Sequence, residues 1–257
     1  MTNAAHPYEL TALIVIFFLT SVVGVVTGSN SLITVPAMLS FGIEPRTALA
    51  TNMFALTFLS FGGTLPFLGT GTFDRRRLPL LVSLTLGGSV LGALLVLVVP
   101  STTMPLLISI FMLLVATFSF LRRDAGIVPA PSTSSRTAEL SGYAATFLLG
   151  IYGGFFSGGY VTMLTPIFVV CFSMTFVQAV ANTKLVNIFS SLVATLIFIW
   201  CSIVDYRLGL ILAVTAFIGA RIALKLDNLW LRRIFLATVV ALALKTLIYD
   251  FVWQQLL

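Results

Sequence analysis

Two interruptions in otherwise apolar sequence constrain this chain more than any other feature. The first begins Gly24-Val-Val-Thr-Gly28-Ser-Asn-Ser31-Leu-Ile-Thr-Val-Pro36, and 130 positions later Gly154-Phe-Phe-Ser-Gly158-Gly-Tyr-Val-Thr-Met-Leu-Thr-Pro166 repeats its skeleton. Asn52 and Asn182, then Ser60 and Ser190, extend the same register, and Thr27 faces the similar Ser157. Five identities at one offset point to an internal duplication. Each copy breaks an apolar run with glycines, hydroxyls and a proline. A helix broken inside a bilayer leaves backbone groups without partners, so such a break survives only where protein shields it or it lines a cavity.

The solvent of the surrounding runs follows from composition. Apolar residues make up 59% of the chain and charged ones 9%, against roughly 45–50% and 25% in soluble domains. Apolar runs long enough to span recur along it, and the ten-residue alternation of a barrel is absent. The predicted fold is an all-α polytopic membrane protein of two inverted repeats, each of about five helical segments, with the second segment short, broken or re-entrant. Repeat one, 1–121, holds segments at about 10–28, 31–42, 46–68, 78–99 and 104–121. A polar cytoplasmic linker, 122–141, carries Pro129, Pro131 and Ser132-Thr-Ser-Ser135. Repeat two, 142–257, holds about 142–158, 161–172, 178–200, 207–224 and 231–250. Twelve residues of helix rise about 18 Å, short of a hydrocarbon core of about 30 Å, so segments 31–42 and 161–172 cannot cross alone. Each also contains a proline, which removes a backbone donor. The first run has His6 and Glu9 before it and no Lys or Arg, unlike a signal peptide, and is expected to remain as a membrane element.

Charge sets the expected topology. A net charge of +6 reflects Lys and Arg in short loops rather than a nucleic-acid surface. With both termini outside and an odd repeat, the inner loops collect Arg75, Arg76, Arg77, Arg122, Arg123, Arg136, Arg221, Lys225, Arg232 and Arg233. A parallel four-plus-four repeat sends Arg221, Lys225, Arg232 and Arg233 outside instead. The bias of Lys and Arg favours inversion.

Inverted repeats with paired broken segments suit a substrate held near the midplane at the repeat interface. A helix that starts inside the membrane offers free N–H groups and a positive dipole end to an anion. The candidate binding residues at the two starts are Ser29, Asn30 and Ser31, then Ser157, Gly158, Gly159 and Tyr160. Further along come Thr51 and Asn52, and Asn182, Thr183, Lys184 and Asn187. Lys184 sets the sign, because a lysine within a span is costly and an anion would balance it. Against these stand plainer roles: small residues that merely let helices approach, and a lysine that snorkels to the interface. Asp74 and Asp205 sit in equivalent turns, where capping the next helix is the expected job. Gly87, Gly88 and Gly92, with Gly219 and Ala223 opposite, read as small-residue ladders. Arg46 reads as an interfacial anchor and Lys245 as a snorkelling residue. Cys171 and Cys201 read as buried apolar thiols. With His6 the lone histidine, no metal site and no cofactor are expected.

The duplicated break with its proline, the Ala181-Asn-Thr-Lys184 stretch, and the Asp205-Tyr206 turn followed by Gly219-Ala-Arg221 resemble the sulfite exporter TauE/SafE family, or TSUP permeases. The resemblance covers nearly the whole chain. It implies transport of sulfur-containing anions such as sulfite, thiosulfate, sulfoacetate or other organosulfonates across a prokaryotic inner membrane. Expected partners are therefore a small anionic substrate and the bilayer, with a homo-oligomer left open and no nucleic acid. The expected mechanism is alternating access. An anion-selective channel is the main alternative. An intramembrane enzyme lacks a GxSxG or HExxH match, and a retinal-type Schiff base on Lys184 lacks an evident carboxylate counter-ion.

Overall fold

A computed structural model describes residues 7–27, 30–121 and 135–223. The expected segment at 231–250, Lys245, Arg232, Arg233 and most of the linker lie outside these residues. The described chain is all helix: α1 (Pro7–Thr27), α2 (Ser31–Ser40), α3 (Pro45–Thr64), α4 (Leu78–Val98), α5 (Met104–Leu121), α6 (Arg136–Phe155), α7 (Tyr160–Phe172), α8 (Phe176–Trp200) and α9 (Tyr206–Ala223). Among them, three elements meet a span's length and apolarity: Pro45–Phe67, Leu78–Val98 and Phe176–Trp200. α2 and α7 are the short segments, with Pro36 and Pro166 inside them.

Local chemistry fixes the helix starts. The Glu44 carboxylate accepts the Thr47 N–H at 2.9 Å, and Pro45 opens α3, where its missing donor is not needed. Thr175 and Gln178 form a reciprocal capping box on α8. Asp74 accepts the N–H groups of Arg76 and Arg77, and Asp205 that of Leu208, as the capping role requires. One boundary differs from expectation. Ser135 caps a helix that begins at Arg136, so the last six residues of the stretch read as linker are helical. Cys171 is half-buried and Cys201 exposed, so neither is the buried thiol expected, because both lie at the ends of helices.

Packing turns the soluble pattern inside out. Val98, Leu140, Leu148 and Trp200 are exposed, facing outward, while Thr51, Asn52, Asn182, Thr183 and Ser190 are buried. α4 lies against α6 and α8, α9 lies against α1 and α3, and α3 lies against α8. The fourth helix of each half thus packs on the first and third helices of the other. α3 and α8 run in opposite directions. The Asp205 N–H beyond the end of α8 donates to Thr51 near the start of α3, at 3.1 Å. The Asp74 N–H beyond the end of α3 donates to Asn182 near the start of α8, at 3.2 Å. Between them the Thr57 and Thr195 hydroxyls pair, and Asn187 Nδ2 donates to Ser60 Oγ at 2.7 Å. Such bonds in a membrane average only about 0.6 kcal/mol each, so the set, not one member, fixes the register.

The ladder glycines follow the same exchange. Gly88 and Gly92 face backbone atoms of Phe147 and Ile151 on α6, whereas Gly219 faces Phe18 and Ser21 on α1. Gly219 is therefore not their partner; it makes the equivalent contact in the other half. At one end of the bundle Arg77 pairs with Asp74 at 2.8 Å and with Glu139, and its guanidinium lies 5.6 Å from the Phe172 ring centroid. Burial pushes the Asp74 carboxyl up, but hydrogen bonds from Arg77 and Arg76 and the Arg77 charge outweigh it and hold Asp74 below its ordinary value. A lowered carboxylate stabilises the fold above its unfolded pKa and loses that contribution as pH falls through the folded value. Acidification below about pH 4 is thus expected to lower the melting temperature in detergent. Arg77→Ala should flatten that loss and cost about 1 kcal/mol at neutral pH; an unchanged acid profile would remove the cluster from the stability balance.

Candidate functional site

The two breaks meet at a small cavity. In the first, Asn30 occupies the cap position of α2 in helical conformation, and its side chain makes no capping bond. A Cβ on Gly24 would lie 2.9 Å from Asn30 Cβ, so only glycine lets the chain turn back this closely. In the second, Ser157 (φ 62°) and Gly159 (φ 79°) are both left-handed, and the Tyr152 hydroxyl donates to the Gly158 carbonyl. For serine this conformation costs on the order of 1–3 kcal/mol. Ser157→Gly is therefore expected to melt higher than Ser157→Ala by the equivalent of about 1 kcal/mol, since both lose the hydroxyl but only glycine relieves the backbone. Equal melting would show that the turn carries no strain.

The polar wall of the cavity is Asn30, Ser60, Ser157, Lys184 and Asn187; Gly24, Leu56, Leu59 and Val161 complete it. It offers about 20 Å³ to the centre of a water-sized sphere, room for about one water. Lys184 is 8% exposed, and lies eight residues into α8, roughly 12 Å along its axis. It is buried in the bundle rather than snorkelling at a rim. Asn30 is 3% and Asn187 6% exposed. Among the described residues neither end of the Asn30 amide has a hydrogen-bond partner, and neither does Asn187 Oδ1. Leaving a buried amide unsatisfied costs about 1–3 kcal/mol, and a cavity that brings such groups together with a cation, and has no acidic side chain in its wall, is built to receive an anion.

Four of the residues singled out from sequence line this cavity: Asn30, Ser157, Lys184 and Asn187. Ser29 lies outside the described residues. The others hold the fold around it. Asn52 donates to Ser31 at 2.8 Å and accepts from Thr34 at 2.6 Å, which ties α3 to α2. Thr51 and Asn182 receive the two aspartate turns, and Thr183 pairs with Thr165 at 3.2 Å. Gly158 receives the Tyr152 hydroxyl, Gly159 forms the left-handed cap of α7, and the Tyr160 hydroxyl reaches Thr85 at 3.3 Å. Ser60, Leu56, Leu59 and Val161 were not singled out as ligands. Only Ser60 carried a signal, its identity with Ser190, and Ser190 pairs with Ser89 instead. Arg46 donates to the Val99 carbonyl at 2.9 Å, fastening the start of α3 to the end of α4.

The family model described as sulfite exporter TauE/SafE matches residues 13–246. The probable membrane transporter protein ORF9 of a Sinorhizobium species is 28% identical over 83% of this chain and 81% of its own length. The probable membrane transporter protein YfcA of Escherichia coli K12 is 26% identical over 95% of this chain and 92% of its own. A probable membrane transporter protein of Haemophilus influenzae is 25% identical, with 84% of each chain covered. No solved structure matches. The broken helices, the apolar exterior and a match running nearly from end to end agree: this chain is a membrane protein of the sulfite exporter TauE/SafE family of transporters.

Proposed function

We propose that the protein carries small sulfur-containing oxyanions, such as sulfite, thiosulfate, sulfoacetate or other organosulfonates, across the inner membrane of a prokaryote by alternating access. The observation that carries this reading is the pair of buried, unsatisfied asparagine amides facing a cavity whose cation is Lys184. The family's name supplies the sulfur chemistry. The halves act as inverted repeats rocking about the cavity; the opposite directions of α3 and α8 and the loop positions of Arg75, Arg76 and Arg77 support that orientation. A cavity with room for about one water fits a carrier in a closed state better than an open pore, so the anion enters only after the halves part.

The test is tracer flux into proteoliposomes holding the full chain, with sulfite, thiosulfate, sulfate, sulfoacetate, nitrate and chloride. Saturable influx of a sulfur oxyanion, accelerated by the same anion inside, is the expected result. Influx linear in concentration would make the protein a channel. No flux of any anion from folded protein would overturn the anion reading.

A further inference from the structure

We infer that the cavity takes its anion as a singly charged species that carries one O–H group, with Lys184 matching the charge and the Asn187 side-chain carbonyl accepting the hydrogen. This deepens the anion-carrier reading and rests on it. Two independent observations point there. The first is charge: the wall contains one cationic side chain, Lys184, and no acidic one. A second negative charge on the ligand would be buried without a counter-charge, which a low-dielectric site strongly disfavours. The second is hydrogen-bond polarity. Asn187 Nδ2 is committed to Ser60 Oγ at 2.7 Å, which leaves Oδ1 as a buried acceptor, without a partner among the described residues, in the cavity wall. A fully deprotonated oxyanion presents only acceptors and would meet Oδ1 lone pair to lone pair. An O–H on the ligand removes that conflict. The Asn30 amide, unsatisfied at both ends, and the Ser157 hydroxyl then serve the remaining oxygens.

The proton in this scheme crosses on the substrate, so no carboxylate along the path has to relay it. The titratable groups on the helices packed around α8 are engaged elsewhere. Arg46 bonds Val99, Arg77 pairs with Asp74 and Glu139, and the Tyr152 and Tyr160 hydroxyls bond Gly158 and Thr85.

The experiment uses sulfite, whose mono- and dianion interconvert near neutral pH, with methanesulfonate, a monoanion without O–H, as competitor. Initial rates are measured in proteoliposomes of the full chain from about pH 6 to about pH 8. The KM for total sulfite is expected to rise about tenfold per unit of pH once the dianion dominates. The inhibition constant of methanesulfonate reports only the protein's own titration, and should rise much less. At the acidic end sulfite should be preferred over methanesulfonate by about tenfold or more, and Asn187→Leu should collapse that ratio toward one. A sulfite KM that stays flat, or that follows methanesulfonate in parallel, overturns the inference, and so does a preference unchanged in Asn187→Leu. The pH series on the unaltered protein decides the matter if Asn187→Leu does not fold. Saturable sulfite flux with a flat KM would sink this inference and leave the carrier reading standing, whereas absence of all anion flux would sink the carrier reading itself.

Discussion

Gly154→Val is expected to leave no folded protein to extract. Gly154 lies on α6 where it crosses α4, and an added Cβ would overlap the Ser89 carbonyl oxygen and crowd Ser89 Cα. Both obstacles are backbone, so no side-chain rotation can relieve them. Gly150 on the same face looks onto Thr85, and Gly88 and Gly92 on α4 look back onto Phe147 and Ile151 backbone, so the two helices touch along a ladder of four glycines. In a bilayer lipid tails are as apolar as the helices, and close packing of this kind is a main source of association. Forcing the pair apart forfeits the dispersion contacts of the whole ladder, a loss beyond the about 1–3 kcal/mol of ordinary core overpacking. Gly87→Ala is the control. It sits on the same helix, but its nearest neighbour is the Phe147 ring at 3.7 Å, an ordinary contact. The fraction surviving as a monodisperse detergent-solubilised species should be near zero for Gly154→Val and near normal for Gly87→Ala. Comparable survival of both would mean that the α4–α6 seam does not decide stability.

The features legible in the sequence were those written in local chemistry. α2 and α7 start at Ser31 and Tyr160, where the breaks were read, because glycine, small polar residues and proline act on the backbone within a few residues. The Asp74 and Asp205 caps were readable for the same reason. The depth of Lys184 followed from its distance into an apolar run. The exchange between halves was not legible. Gly88 and Gly219 look alike in sequence, yet they pack on α6 and α1, because partner choice is made between helices that are distant in the chain. Nor could the asparagines be sorted. Asn52, Asn182 and Asn187 lie on helices apolar on every side, which gives hydropathy no face to point with. Asn52 is used up by Ser31 and Thr34 and Asn182 by Asp74, while Asn187 reaches the cavity. A rotation of α8 by one residue, about 100°, would exchange those roles, and only packing sets it. Ser60 was overlooked as a ligand because its repeat mate Ser190 packs against Ser89, so duplication preserved the residue and not its use.

Lys184→Met is expected to silence anion transport while leaving the fold as stable as before, or more so, and the opposite signs make the result decisive. Lys184 supplies the one positive charge in the cavity wall. Removing one member of a buried charge pair typically costs 3–5 kcal/mol, a loss of at least about a hundredfold in anion affinity. Stability should move the other way. A lysine at the centre of a span costs roughly 2.5–3.5 kcal/mol on insertion scales, and methionine keeps the length of the aliphatic stem without the charge. Lys184→Arg retains the charge but replaces a compact ammonium with a broad planar fork. In a cavity with room for about one water it should raise KM by about tenfold and preserve saturable flux. Flux and melting temperature measured on the same preparations separate the roles. Transport lost at an undiminished melting temperature assigns Lys184 to the ligand. Transport and melting temperature falling together would make it a structural residue, held by its surroundings in the bundle. Full transport by Lys184→Met would take the charge out of the site, and the asparagine amides would then have to bind a ligand without it.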